Sequence, residues 1–150
     1  MPIHSERQIS PYLPQRLFDL VVDIEKYPQF LPWCRAARVI ERKENEFLGE
    51  LVISFSHITQ SYTSKVTVTP PSENCEANID VVMVKGPFEH LTNSWRFTPD
   101  KQGTIIDFTL DFKFRSRILE KLIGKLFGKA TEKMVGAFKK RADELYGNKC

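Results

Sequence analysis

Histidines, cysteines and paired carboxylates are the side chains of this 150-residue chain that could perform acid–base, nucleophilic or metal chemistry. His4, His57 and His90 are isolated from one another, and the sequence contains no Cys-x-x-Cys or His-x-x-x-His pair. A Gly-rich phosphate loop and a Gly-x-Ser-x-Gly elbow are absent as well. We therefore expect a protein that needs neither a metal nor a cofactor.

The remaining candidates for catalysis are one thiol and one pair of carboxylates. Cys34 with a distant histidine could form a nucleophile and its base, but buried thiols are usually unreactive, which favours a packing role. Asp107 and Asp111 alternate with an apolar strand face, so we expect them to face solvent. A general acid needs a carboxyl group buried among apolar groups, and the pattern identifies none. The sequence favours a protein that is not an enzyme.

Aromatic residues and prolines are concentrated in the run Tyr27-Pro28-Gln29-Phe30-Leu31-Pro32-Trp33-Cys34, where the first predicted helix ends. Each proline fixes its own φ and moves the preceding residue out of the α region, so we expect Tyr27 and Leu31 to be extended. A stiff segment that projects large apolar side chains suits the roof of a cavity. The alternative is a rigid loop over an ordinary core.

A second candidate for ligand contact is a predicted strand on which Leu91, Asn93, Trp95 and Phe97 share one face. Asn93 is the polar member of this apolar row and could orient the head of a ligand, unless it only supports a bulge. Lys85, in the turn before this strand, could donate to a carbonyl or phosphate at the rim of a cavity. An exposed charge without a ligand is the alternative for Lys85.

Basic residues are concentrated near the C-terminus. Residues 115–150 contain ten Lys/Arg and four Asp/Glu, whereas residues 1–114 contain twelve and fifteen. This excess favours an anionic partner such as a phospholipid surface, an acidic protein or RNA, although a solvated helix face is also compatible with it. Lys121, Lys125, Lys129 and Lys133 are spaced four apart, which predicts a basic row on one helix face.

Alternating apolar and polar residues predict seven β-strands joined by short turns. Because the connections are short, the strands should pair antiparallel as a meander. The predicted strands are 3–10, 38–43, 46–56, 58–69, 77–84, 88–98 and 104–114.

Two helices are predicted on either side of the strands. The first begins near Pro14, with the poor N-cap Leu13, and continues until Pro28. The second is one long amphipathic helix from about Ser116 to Tyr146, whose apolar stripe must lie against the sheet. Its stripe is predicted to contain Ile118, Leu119, Leu122, Ile123, Leu126, Phe127, Ala130, Met134, Val135, Phe138, Ala142 and Leu145.

The order of these elements resembles the helix-grip fold of the START and Bet v 1 superfamily. The aromatic run, followed by Gly86-Pro87-Phe88, by Trp95-Arg96-Phe97-Thr98-Pro99 and by Asp111-Phe112-Lys113-Phe114, is similar to the coenzyme Q-binding START-domain family. That family belongs to the polyketide cyclase and lipid transport superfamily and includes bacterial ribosome-association toxin homologues. The resemblance implies one α+β domain over residues 1–150, with a curved antiparallel sheet of about seven strands around a long C-terminal helix.

The resemblance also implies a function, which is binding of ubiquinone or a similar polyprenyl lipid in support of respiratory electron transport. The first alternative is a toxin-like protein that binds the large ribosomal subunit and blocks subunit association. The second alternative is a polyketide cyclase-like enzyme. A partner surface, for an anionic membrane or a ribosomal subunit but not DNA, is expected at the four lysines of the basic row. The candidate ligand-binding residues are Tyr27, Phe30, Leu31, Trp33, Lys85, Phe88, Leu91, Asn93, Trp95, Phe108, Leu110, Phe112, Met134 and Phe138.

Location is expected from the same sequence features. No stretch reaches the roughly 18 to 20 apolar residues that span a bilayer, and the N-terminus lacks a basic region followed by an apolar run. We expect a protein that is not secreted and that is cytoplasmic or peripheral to the inner face of a respiratory membrane. In such a reducing compartment, Cys34, Cys75 and Cys150 should be free thiols.

Overall fold

The computed structural model describes residues 3–71 and 76–147, and its central feature is a seven-stranded antiparallel sheet in the order β1-β7-β6-β5-β4-β3-β2. This arrangement confirms the predicted sheet; the first strand has the predicted bounds, whereas the second begins at Cys34, four residues before the predicted start. The strands are β1 (Ile3–Ser10), β2 (Cys34–Lys43), β3 (Glu46–Phe55), β4 (Ile58–Thr69), β5 (Ala77–Lys85), β6 (Phe88–Asp100) and β7 (Gly103–Phe114).

Two-residue turns connect β2 to β3, β3 to β4, β5 to β6 and β6 to β7. Ser56 and His57, between β3 and β4, both have positive φ angles, of 48° and 71°, as a two-residue hairpin turn of type I′ requires. Gly103 has a φ of 130°, and a Cβ atom there would lie 2.2 Å from the carbonyl oxygen of Ser10. Only glycine therefore allows the start of β7 to pass so close to the end of β1.

Helix α1 (Pro14–Val22) starts as predicted, with Pro14 in its first turn and no side-chain cap from Leu13. It ends earlier than predicted, because Asp23 leaves the helical region and a 3-10 helix (Ile24–Gln29) follows. Tyr27 lies within that 3-10 helix, so the expectation that Pro28 holds it extended is wrong. Its buried phenol donates to the carbonyl of Val21, and this tertiary contact outweighs the local preference of a residue before proline.

The predicted long C-terminal helix is divided into successive parts. They are α2 (Arg117–Leu119), a π-helical turn (Glu120–Gly124), α3 (Lys125–Glu132) and α4 (Met134–Tyr146). Ser116 caps the start, since its Oγ accepts a hydrogen bond from the backbone N–H of Leu119 at 3.2 Å. Lys133, with φ −99° and ψ 0°, ends α3. The predicted single helix is therefore interrupted at the π-helical turn and again at Lys133.

The predicted apolar stripe of this region is only partly buried. Ile123 and Phe127 face the core, whereas Ile118, Leu122 and Leu126 are 71%, 54% and 40% exposed. The expectation that these three side chains pack on the sheet is wrong. Apolar residues extend around more of the helix than the sheet can cover, and the π-helical turn winds less tightly than an α-helix.

Four phenylalanines fill one end of the core. Phe88, Phe112, Phe114 and Phe127 form a phenylalanine cluster, in which every pair of ring centroids lies between 4.7 and 6.3 Å apart. All four side chains are buried. The cluster fixes α3 against the first residue of β6 and the last residues of β7.

Candidate functional site

A cavity of about 70 Å³ lies between the inner face of the sheet and the C-terminal helices. Side chains from α1, the 3-10 helix, the loop after it and strands β3 to β7 form most of its wall. The helical side is closed by Phe127 and Thr131 of α3 and by Met134, the first residue of α4. The lining is predominantly apolar, which suits the burial of a hydrophobic ligand.

Half of the predicted ligand-binding residues line this cavity. The aromatic run contributes Tyr27 and Trp33, and Trp33 also stacks on Phe55 with ring centroids 6.1 Å apart. The wall thus combines parts of the chain that are distant in sequence. The predicted residues that line it are Tyr27, Trp33, Leu91, Asn93, Trp95, Leu110 and Met134.

The other predicted residues lie outside the wall. Phe30 packs on Phe138 beside the cavity, while Leu31 is buried in the core. Lys85 is exposed at the end of β5. The remaining aromatics fill the core behind the wall. The predicted residues outside the wall are Phe30, Leu31, Lys85, Phe88, Phe108, Phe112 and Phe138.

Many wall residues that the sequence analysis did not select are small or branched side chains of β3, β4 and β5. Tyr62, Ser64 and Val66 alternate along β4 and share its inner face. The same period of two that predicted the strand could have identified them, since a serine in an otherwise apolar row resembles the Asn93 pattern. The residues missed are Val21, Ile24, Gly49, Leu51, Tyr62, Ser64, Val66, Ile79, Val81, Phe127 and Thr131.

Ser64 is the most distinctive polar group of the wall. Its side chain is 5% exposed, and its Oγ makes no hydrogen bond to any part of the chain that the structure describes. Thr131 differs, because its hydroxyl donates to the carbonyl of Gly128 at 2.8 Å. A buried hydroxyl without a partner loses its hydration and gains nothing in return. Ser64 is therefore a group in the wall that is free to bind a polar atom of a ligand.

Asn93 is held by its own neighbours. Its side-chain nitrogen donates to the carbonyl of Thr109 at 2.9 Å, and its side-chain oxygen accepts a hydrogen bond from the indole nitrogen of Trp95 at 3.1 Å. The amide thereby fixes the orientation of Trp95, which is buried and lines the cavity. In this arrangement Asn93 shapes the wall through the indole ring.

The cavity wall lacks groups that exchange protons near neutral pH. Among its described residues, it contains no carboxylate, imidazole, amine or guanidinium. Its two phenols belong to Tyr27 and Tyr62, and burial raises the pKa of each above the ordinary value, so both keep their protons at neutral pH. The wall is suited to binding and shape selection.

Cys34 lies outside the wall and is buried, with its thiol 3.6 Å from the carbonyl oxygen of Ala36. Burial raises the pKa of Cys34 to about 11, so the reactive thiolate is scarce at neutral pH. Packing therefore accounts for Cys34, as the sequence favoured. The other two cysteines, Cys75 and Cys150, lie outside the described residues.

The remaining candidates for chemistry lie apart from the cavity. His4 and His90 pair with Glu6 and Asp111 at 2.9 and 3.0 Å, and Asp107 pairs with Arg7 at 2.7 Å. Over residues 3–71 and 76–147, no group of three or more potential metal ligands occurs. Local hydrogen bonds and the Arg7–Asp107 ion pair account for these side chains.

The predicted basic row lies at the surface. Lys121, Lys125, Lys129 and Lys133 are all exposed, on the π-helical turn, on α3 and at the residue after it. Ile118, Leu122 and Leu126 are exposed beside them. In the part of the chain that the structure describes, no helix combines the length and the apolar character needed to cross a bilayer.

Comparison with known proteins agrees with this architecture. The family model described as "Polyketide cyclase / dehydrase and lipid transport" matches residues 10–139. A protein named ribosome association toxin RatA, from Rickettsia prowazekii, is 49% identical, and the match covers 92% of this chain and 94% of that protein. A mitochondrial coenzyme Q-binding protein of Xenopus laevis is 30% identical, with 96% of this chain and 59% of that protein covered.

A solved structure has the same fold. A START superfamily protein from Mycobacterium smegmatis superimposes with a TM-score of 0.74, covering 95% of this chain and 98% of that one at 19% identity. The seven-stranded antiparallel sheet with C-terminal helices is thus a START-like, helix-grip fold. At this identity the likeness concerns the fold alone.

Proposed function

We propose, from the premise that this chain belongs to the polyketide cyclase/dehydrase and lipid transport family, that its cavity binds a hydrophobic ligand of the ubiquinone or polyprenyl class. The protein would act as a carrier or chaperone for that ligand and support respiratory electron transport without catalysing a reaction. Such a carrier would work in the cytoplasm or at the inner face of a respiratory membrane.

The observation that carries this proposal is one buried hydroxyl without a partner in an apolar wall. Ser64 can donate a hydrogen bond to a carbonyl oxygen, while the surrounding apolar residues can cover an isoprenoid tail. Each methylene-sized group of such a tail contributes on the order of 0.8 kcal/mol when it is buried. A ligand with a carbonyl-bearing head and an apolar tail matches both features.

The cavity is too small to hold a ligand of this class without a change in its wall. About 70 Å³ is well below the roughly 300–1,000 Å³ of ordinary small-molecule pockets. A ligand of this class therefore needs part of the wall to move outward. Helix α3 is the suitable part, because it contributes Phe127 and Thr131 to the wall and lies between the π-helical turn and the break at Lys133.

The test is ligand capture by the purified protein. Organic extraction followed by mass spectrometry should identify a co-purified quinone or polyprenyl lipid, and added ubiquinone should be retained. Ser64→Ala should weaken retention of a quinone by about fivefold, the value of one net hydrogen bond, without lowering thermal stability. Ser61→Ala is the matched control, because Ser61 is an exposed serine of the same strand.

Two results would contradict the proposal. Protein that carries no such lipid and takes up no added quinone would exclude this ligand class. Turnover of a polyketide-type substrate that is abolished by Tyr62→Phe or Ser64→Ala would instead indicate a cyclase-like enzyme, the chemistry named in the family's description.

A second candidate function is binding to the large ribosomal subunit. Its support is the 49% identity to a protein named ribosome association toxin, together with the exposed lysines of the basic row, which could contact RNA phosphates. Sedimentation of ribosomal subunits with the protein at low salt decides this question. Unchanged subunit association would count against it.

A further inference from the structure

The outer side of α2, the π-helical turn and α3 carries an apolar row that the fold leaves uncovered. Ile118, Leu122 and Leu126 follow one another at four-residue steps and remain 71%, 54% and 40% exposed. They lie next to the residues that face inward, since Ile123 and Phe127 come directly after Leu122 and Leu126. This segment therefore presents apolar side chains on two sides. Only the side with Ile123 and Phe127 packs within the fold.

A basic row accompanies the exposed apolar row. Lys121 and Lys125 directly precede Leu122 and Leu126, and Arg117 directly precedes Ile118. Residues 115–133 contain six basic side chains, Arg115, Arg117, Lys121, Lys125, Lys129 and Lys133, against two acidic ones, Glu120 and Glu132, which gives a local charge of +4. Within the described residues, none of these four lysines forms an ion pair. We call the apolar and basic rows together the amphipathic stripe.

We propose that the amphipathic stripe docks the protein on an anionic phospholipid bilayer. Ile118, Leu122 and Leu126 would enter the boundary between headgroups and acyl chains, and the lysines would extend their ammonium groups to the lipid phosphates. This combination of exposed apolar side chains and flanking lysines is what an interfacial helix requires.

The chemistry of the stripe favours a bilayer over other partners. An RNA surface would use the lysines but offers no environment for three exposed aliphatic side chains. A second copy of this chain could cover the aliphatic side chains, but it would bring two basic rows together and make them repel each other. An anionic bilayer satisfies both rows at once, because it provides negative headgroups above an apolar interior.

Docking would also place the cavity next to the membrane, a step that rests on the proposed ligand-binding function. Leu126 belongs to the stripe, whereas its neighbour Phe127 lines the cavity. Displacement of α3 toward the lipid would thus open the wall on the side that faces the membrane. A ligand could then pass between bilayer and cavity without crossing water.

Vesicle flotation tests the proposal on the whole chain, without added ligand. The protein should float with vesicles of phosphatidylglycerol and phosphatidylethanolamine and remain unbound with phosphatidylcholine. Ile118→Gln combined with Leu122→Gln should weaken binding by about tenfold or more. Lys121→Gln combined with Lys125→Gln and Lys129→Gln should weaken it by about fivefold for each charge removed.

Matched controls separate the stripe from general surface properties. Val82→Gln with Val84→Gln removes two aliphatic residues that are 51% and 61% exposed on β5. Lys26→Gln with Lys43→Gln and Lys101→Gln removes the same number of exposed charges elsewhere. Both controls should bind within about twofold of the unaltered protein.

Several outcomes would overturn the proposal. They are no binding to phosphatidylglycerol vesicles at low salt, equal losses in stripe and control variants, or a dimer that the stripe substitutions dissociate. If the stripe substitutions abolish binding to ribosomal subunits but leave binding to vesicles unchanged, the partner of the stripe is RNA and not a bilayer. Ubiquinone retention in vesicle-free solution is measured separately, so failure of docking can be told apart from failure of ligand binding.

Discussion

Helix α3 covers two regions of the sheet in different ways. Where β6 begins and β7 ends, the phenylalanine cluster fills the space completely with rings at contact distance. Over β3 and β4, the inner face carries Gly49, Ser64 and Val66, and the cavity lies there. Phe127 of α3 belongs to both regions. Aromatic side chains occur in both regions, since Trp33, Tyr62 and Trp95 also line the cavity, so the space differs because small residues of β3 and β4 leave it unfilled.

The largest effect should come from truncation in the packed region. Phe88 is fully buried and its ring contacts the three other members of the cluster, so Phe88→Ala should lower the free energy of unfolding by about 3–5 kcal/mol. Val66→Ala enlarges an existing cavity and should cost only about 1–2 kcal/mol. Urea unfolding measures both. Equal costs would show that the two regions are packed alike.

An intermediate effect should appear in the pH dependence of stability. Burial raises the pKa of Cys34 to about 11 from an ordinary value of 9.0. As the pH rises above 9, the unfolded chain releases this proton first, so stability falls until the folded thiol also ionises near pH 11. The total loss should be about 2–3 kcal/mol.

The measurement is the free energy of unfolding between pH 8 and pH 11, for the unaltered protein and for Cys34→Ala. The alanine variant should lose less stability across this window, because it has no thiol to ionise. Parallel curves would mean that the Cys34 thiol is solvated in the folded protein.

The smallest effect should separate two neighbouring residues of the aromatic run. Trp33 lines the cavity, whereas Cys34 does not. Trp33→Ala should therefore weaken retention of a bound lipid by about tenfold, through lost apolar contact, and Cys34→Ala should change it by less than about twofold. Equilibrium dialysis with a quinone measures both variants. The reverse order would place the ligand on the other side of the run.

The sheet could be predicted from sequence because strand periodicity and turn residues act locally. The alternation of Ile58–Thr69 and the breaks at Pro70-Pro71 and Gly86-Pro87 correspond to the observed strand ends. The C-terminal region was harder. Its three- and four-residue spacing does not distinguish one long helix from shorter helices that a π-helical turn divides. Both arrangements bury Ile123, Phe127 and Phe138.

The candidate site could be predicted from the sequence less well than the fold. An apolar residue on an inner face can fill the core or border a cavity, and its type alone does not separate the two. Phe108, Leu110 and Phe112 share one apolar face of β7, yet Leu110 lines the cavity and the two phenylalanines pack behind its wall. The alternation of β4 places Ser64 on the inner face, but the absence of a hydrogen-bond partner for its hydroxyl in the described residues follows only from the three-dimensional structure.

The pairing of β1 with β7 has a consequence for the order in which the chain folds. Ile3 lies opposite Asp111, so the first strand finds its partner only more than a hundred residues later. Successive strands from β2 to β7 are separated by only two to seven residues, but pairing of β1 with β7 must close a loop that contains nearly the whole domain. During synthesis from the N-terminus, the first strand to be made is therefore the last to enter the sheet.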